Sequence, residues 1–207
     1  MDVSQYLVAE LDDTVTRLRR QILDIVPLER QLERLPGANS ATWITFHVAR
    51  HAALALSIVT GTAGIRDPRL AVFDIAGADT TAGVAATDEV AEQLAVATRG
   101  GNGLQEVQQP FTEALDPATV NAYALGVFAD VRRYLSTIEE PELDALLDIE
   151  AALDLAGIEH EQFDWLYRLW ADQPVAFLAR WPLTGHLTHH VGELTGLRNQ
   201  MGLSPFR

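Results

Sequence analysis

The sequence predicts an all-α protein, a four-helix bundle with long crossover connections, and three observations carry that reading. Four segments repeat apolar residues at intervals of three and four, the spacing of one helix face. Apolar residues make up 48% of the 207 and aromatic ones only 7%, whereas a β-sandwich draws more heavily on aromatic and β-branched side chains. The segments are bounded by helix caps and breakers rather than by hairpin turns.

The first segment puts Leu7, Leu11, Val15, Leu18, Ile22 and Ile25 on one stripe behind Asp2, a residue suited to an N-cap. Leu35-Pro36-Gly37-Ala38-Asn39-Ser40 is turn chemistry, and Ser40 can cap a second helix through Trp43, Ile44, His47, Val48, His51, Ala55 and Ile58. The third helix begins at Asp116-Pro117, an N-cap followed by proline at the first helical position. It runs through Val120, Tyr123, Ala124, Val127, Val131, Tyr134 and Ile138 and is expected to end at Glu139-Glu140-Pro141. The last helix is expected to start near Pro182, to carry Leu183, His186, Leu187, His190, Leu194 and Leu197 on one face, and to stop at Met201-Gly202 with Pro205 beyond.

Two long connections separate these helices, about 61–115 and 141–181, with short helical patterns at 88–98, 142–155 and 161–170. No internal repeat of the kind that builds a solenoid is present. Residues 1–207 therefore read as a single domain, an appropriate size for one core.

Lys and Arg total 15 against 29 Asp and Glu, a formal charge of −14 that repels phosphate backbones and anionic lipid, so neither nucleic acid nor a membrane is an expected partner. The first residues, MDVSQYLVAELDD, are acidic where a signal peptide is basic and then apolar, and nowhere do 18 apolar residues run uninterrupted. A cytoplasmic location is the expectation. The chain has no cysteine, so a metal site must use nitrogen or oxygen ligands and a protein thiol cannot be the nucleophile.

Five of the six histidines fall in FHVARH and GHLTHH, each holding an i, i+4 pair on an inward helical stripe. At that spacing two imidazoles lie one turn apart and can reach one ion. Imidazoles buried without partners leave desolvated donors and acceptors costing on the order of 1 to 3 kcal/mol each, and a divalent ion relieves several of them together. A bundle with no metal, its histidines bonded to carboxylates, is the alternative.

TWITFHVARH and the terminal HLTHHVGELTGLRNQMGLSPF resemble the two metal-binding segments of the DinB superfamily, which includes mycothiol- and bacillithiol-dependent transferases. The resemblance implies a four-helix bundle with His47, His186 and His190 as ligands of a divalent ion (zinc, nickel or iron), and homodimers are common in that family. Glu193 stands where the family usually has glutamine and Val191 where arginine is common.

His51 is the rival ligand on the second helix. His189, about 100° from His190 on the helical wheel, is expected at a neighbouring helix or solvent, and His160 is expected to be exposed. Glu193 shares the face of His186 and His190, where it can orient an imidazole, take a proton from bound water, or pair with Arg198. Trp43 and Trp181 are the candidate walls of a cofactor or substrate pocket.

Three neutral imidazoles leave positions free on an ion, as catalytic sites do. With no protein thiol, the expected function is a metal-dependent enzyme acting on a small molecule with a low-molecular-weight thiol such as mycothiol as cosubstrate, a transferase, isomerase or hydrolase. The competing expectation is a non-catalytic metal-binding or stress-response bundle.

Overall fold

The computed structural model describes residues 1–65, 67–69, 115–158 and 160–204. Nearly all of the first long connection, with its expected helix at 88–98, lies outside them, as does Pro205. The described residues are helical, with one isolated antiparallel bridge between Leu146 and Pro174, and no described helix is long and apolar enough to cross a membrane.

Helix α1 (Val3–Arg17) starts at Asp2, whose side chain accepts from the Gln5 amide at 2.7 Å in a capping box. It continues as a π-helical turn, Leu18–Leu23, that buries Leu18 and Ile22. The Gln21 carbonyl near that end accepts at 2.7 Å from Arg198, a guanidinium only 1% exposed. A cation is well placed at a helix C-terminus, where carbonyls and the macrodipole are unopposed.

Helix α2 (Ala41–Val59) is capped by Ser40, whose hydroxyl accepts from the Trp43 amide at 3.1 Å. Every residue from Ala41 to Ala55 except Arg50 is buried, so this is a central helix apolar nearly all round rather than a surface amphipath. Its most extensive packing is against α3 (Pro117–Leu135), which is capped as the sequence predicts by Asp116, accepting from the Thr119 amide at 2.8 Å. The third helix closes at Leu135, three residues short of the apolar Ile138. Buried Gln31, in the turn before α2, ties the junction together: its carbonyl accepts from the Thr42 amide and its side-chain oxygen from Asn121 at 3.0 Å.

The second connection is more structured than the sequence suggests. The single pattern at 142–155 splits into α4 (Glu140–Leu143) and α5 (Ile149–Leu155), and α6 follows (His160–Trp170) with non-helical backbone at Phe163. The last helix does not begin near Pro182: a continuous rod starts at α7 (Val175–Arg180), passes through a π-helical turn, Trp181–Gly185, and becomes α8 (His186–Gln200). The connection therefore ends at about residue 174. Proline lacks an N–H and leaves a carbonyl of the preceding turn without its usual helical donor; close by, the Thr184 hydroxyl lies 3.0 and 2.7 Å from the Ala179 and Arg180 carbonyls, which it can serve as donor.

Candidate metal centre

Four imidazoles meet where α2 faces α8. His47, His51, His186 and His190 are all buried, His47 and His51 because α2 is central, His186 and His190 because the inward stripe of α8 begins with them. His47, His186 and His190 each present a ligand atom within 4.8 Å of the others. The Nε2 atoms of His186 and His190 are 3.1 Å apart.

The rings converge as the ligands of one ion do. Nitrogens about 2.1 Å from an ion put their ring centroids roughly 4.6 to 5.3 Å apart for ligand angles of about 90 to 110°. The observed separations are 5.0 Å for His47–His186, 4.9 Å for His47–His190 and 4.6 Å for His186–His190, all at steep interplanar angles. With all three nitrogens directed at one ion, these separations would correspond to about the 90 to 100° end of that range, as for three ligands on one face of a six-coordinate ion.

His51 is placed differently. Its centroid lies 4.2 Å from that of His186 at an interplanar angle of 37°, a tilted stack, and 5.9 Å from that of His47. The ligand atoms that lie within 4.8 Å of one another belong to His47, His186 and His190, and His51 is not in that group. The edge of Trp170 closes its other side at 5.0 Å.

Glu193 orients one ligand. Its carboxylate lies 2.7 Å from His190 Nδ1, and since a carboxylate only accepts, Nδ1 carries the proton and Nε2 keeps its lone pair for an ion. Arg198 is committed to Gln21 and Asn199 rather than to Glu193. Nδ1 of His47, His51 and His186 is buried without a partner.

Burial sets the charge of the cluster. Desolvation holds His47 well below the ordinary imidazole value, helped by His51 and His190. His51 is lowered to about 3 by burial and then by His190. His186 is pushed down by burial and by its histidine neighbours. Neutral imidazoles are the form that ligates metal.

The two tryptophans singled out in the sequence differ. Trp43 is buried and stacks on His47, centroids 4.9 Å apart and rings 7° from parallel, so it packs behind a ligand and fixes its plane. Half-buried Trp181 meets His186 in a T-shaped contact with centroids 5.9 Å apart and lies tilted to exposed His189 at 6.5 Å. Gly185, one residue before His186, permits that packing: a Cβ there would lie 2.9 Å from the Arg180 carbonyl and 3.1 Å from Trp181 Cε3. His189 and His160 are exposed, as expected. Trp170, one of four tryptophans that could have walled the site but not one of the two preferred, lies against His51; it shares no spacing signal with the histidine helices.

No protein-family model matches the chain, and no curated protein or solved structure matches it.

Proposed function

We propose that His47, His186 and His190 hold one divalent ion and that the protein is a metal-dependent enzyme built on a DinB-like four-helix bundle. The observation that carries the reading is the mutual separation of the three rings, 4.6 to 5.0 Å. Three neutral ligands on one face leave adjacent positions for water or substrate, and such an ion acts as a Lewis acid or lowers the pKa of what it binds. Glu193, 2.7 Å from His190, is a positioning residue. Nitrogen ligands alone accept zinc, nickel, iron or cobalt; angles near 90° favour the six-coordinate choices.

The thiol-dependent reading rests on the resemblance of the two histidine segments and on the absence of cysteine, which makes any thiolate an incoming one. Cobalt-loaded protein tests it: a sulfur-to-cobalt charge-transfer band should grow as mycothiol, bacillithiol or glutathione is added, and a fully loaded site that no thiol perturbs rejects it. Homodimer formation is supported by the exposed apolar Leu146, Leu155, Trp165 and Leu169; a monomeric mass by light scattering at micromolar concentration refutes it.

A purely structural ion is the competing account, favoured by the near-complete burial of the ligands on two different helices. Chelation separates the two. A structural ion takes the fold with it when removed, whereas the enzyme should keep its helical circular dichroism and lose only the metal.

A further inference from the structure

The donor set constrains what can bind beside the ion. Among the described residues, Glu193 is the one acid hydrogen-bonded to any of the four clustered histidines, and its side chain is 39% exposed. Imidazoles ligate a metal as neutral donors. A divalent ion held by three such ligands keeps its full charge in a buried setting, where an uncompensated charge is costly. A negative charge on an incoming ligand would offset it.

The angles add a second condition. Ligands about 90 to 100° apart on one face leave the opposite face free, so its open positions are adjacent rather than remote. Adjacent positions suit a molecule offering two donor atoms that close a small ring on the ion. The chain's net charge of −14 opposes the approach of highly charged anions, which favours a single negative charge. Half-buried Trp181, edge-on to His186, gives such a molecule an apolar wall.

Resting on the metal reading above, we propose that this centre takes a chelating monoanion: a small molecule with one anionic oxygen or sulfur donor and a second donor three bonds further on, as in α-hydroxy acids, α-oxo acids, hydroxamates and thiolates with a neighbouring carbonyl. The ion contributes charge and adjacency. His47, His186 and His190 contribute neutrality and angle, and His51 with Trp170 closes the side of His186.

Full-length protein loaded with cobalt, its metal-to-protein ratio measured first, is titrated with acetohydroxamate, acetate and acetamide. Acetohydroxamate should shift the visible cobalt spectrum saturably and bind at least about tenfold more tightly than acetate, while neutral acetamide leaves the spectrum unchanged. Cobalt should stay with the protein through gel filtration after the titration. His47→Asp, which puts a negative charge among the ligands, should weaken acetohydroxamate by about tenfold or more at equal cobalt loading. Should that variant not hold cobalt, calorimetric comparison of acetohydroxamate with acetamide on the unaltered protein decides the question.

Equal responses to acetamide and acetohydroxamate, no response in a fully loaded protein, or cobalt stripped away by acetohydroxamate would overturn the ligand class and leave the metal reading standing. A protein that takes up no cobalt overturns both.

Discussion

The two HxxxH pairs of this protein have the same spacing, the same helical setting and nearly the same burial, yet they are used differently. On α8 both members, His186 and His190, converge with Nε2 atoms 3.1 Å apart, and Glu193 orients the second. On α2 only His47 turns its ring into that convergence, while His51 lies tilted against His186 and meets Trp170 in a T-shaped contact. The i, i+4 interval guarantees a shared face but not a shared target. What decides is the element opposite each ring: His47 faces both α8 histidines, whereas His51 lies beside one of them and against α6.

Acid should blur this difference more strongly than any substitution. The folded-state values of His47, His51 and His186 are depressed, so below about pH 6.5 the unfolded chain binds more protons than the native one and stability falls with pH. For His51 the loss continues down to about pH 3. Each such histidine contributes at most about 1.4 kcal/mol per pH unit, so three together approach roughly 4 kcal/mol per unit in the metal-free protein. Chemical denaturation at pH 7.5, 6.5 and 5.5 measures this. Added metal should protect at pH 6.5, because the ion binds the folded arrangement of His47, His186 and His190 and not the unfolded chain; a pH-independent midpoint of the metal-free protein contradicts buried neutral imidazoles.

Gly185→Ala sharpens the account of α8. The new Cβ meets the Arg180 carbonyl at 2.9 Å and the Trp181 ring at 3.1 Å, and such overpacking costs about 1 to 3 kcal/mol. Thermal unfolding should show the loss together with weaker metal binding, since His186 is the next residue. An unchanged metal affinity would mean that the π-helical turn does not set the His186 ring.

Glu193→Gln tests orientation on the same helix. The amide keeps a hydrogen bond to His190 Nδ1 but lacks the charge, and loss of such outer support typically costs 10- to 100-fold in metal affinity. Competition against a chromophoric chelator reads this directly; affinity within about twofold of the parent would show that Glu193 does not tune His190.

The smallest effect is expected on the other pair. His51→Leu removes a ring that touches His186 without converging on the ion, so metal affinity should fall by no more than about threefold while the spectrum of bound cobalt keeps its shape. A drop as large as that of His47→Ala would make His51 a ligand and dissolve the distinction between the pairs.

Much of this was legible in the chain itself, because caps and stripes are local. Ser40 and Asp116 cap α2 and α3 as their positions suggested, and the inward stripes carried His47, His186 and His190 to one place. The helical continuity through Pro182 was not legible, since proline ordinarily marks a helix start and here sits inside a π-helical turn between two α-helical segments. Nor was the packing of Trp170 on His51, a contact between α6 and α2 set by the path of the intervening chain. Arg198, five residues after Glu193, was a candidate ion-pair partner, but the π-helical end of α1 offers it the Gln21 carbonyl at 2.7 Å instead.

The central claim is a count. Untagged protein loaded with nickel or cobalt, passed through gel filtration and analysed by mass spectrometry of the metal, should hold one ion per chain. His186→Ala should hold almost none at unchanged helical circular dichroism, and His51→Leu should still hold one. Full occupancy in folded His186→Ala would contradict the account.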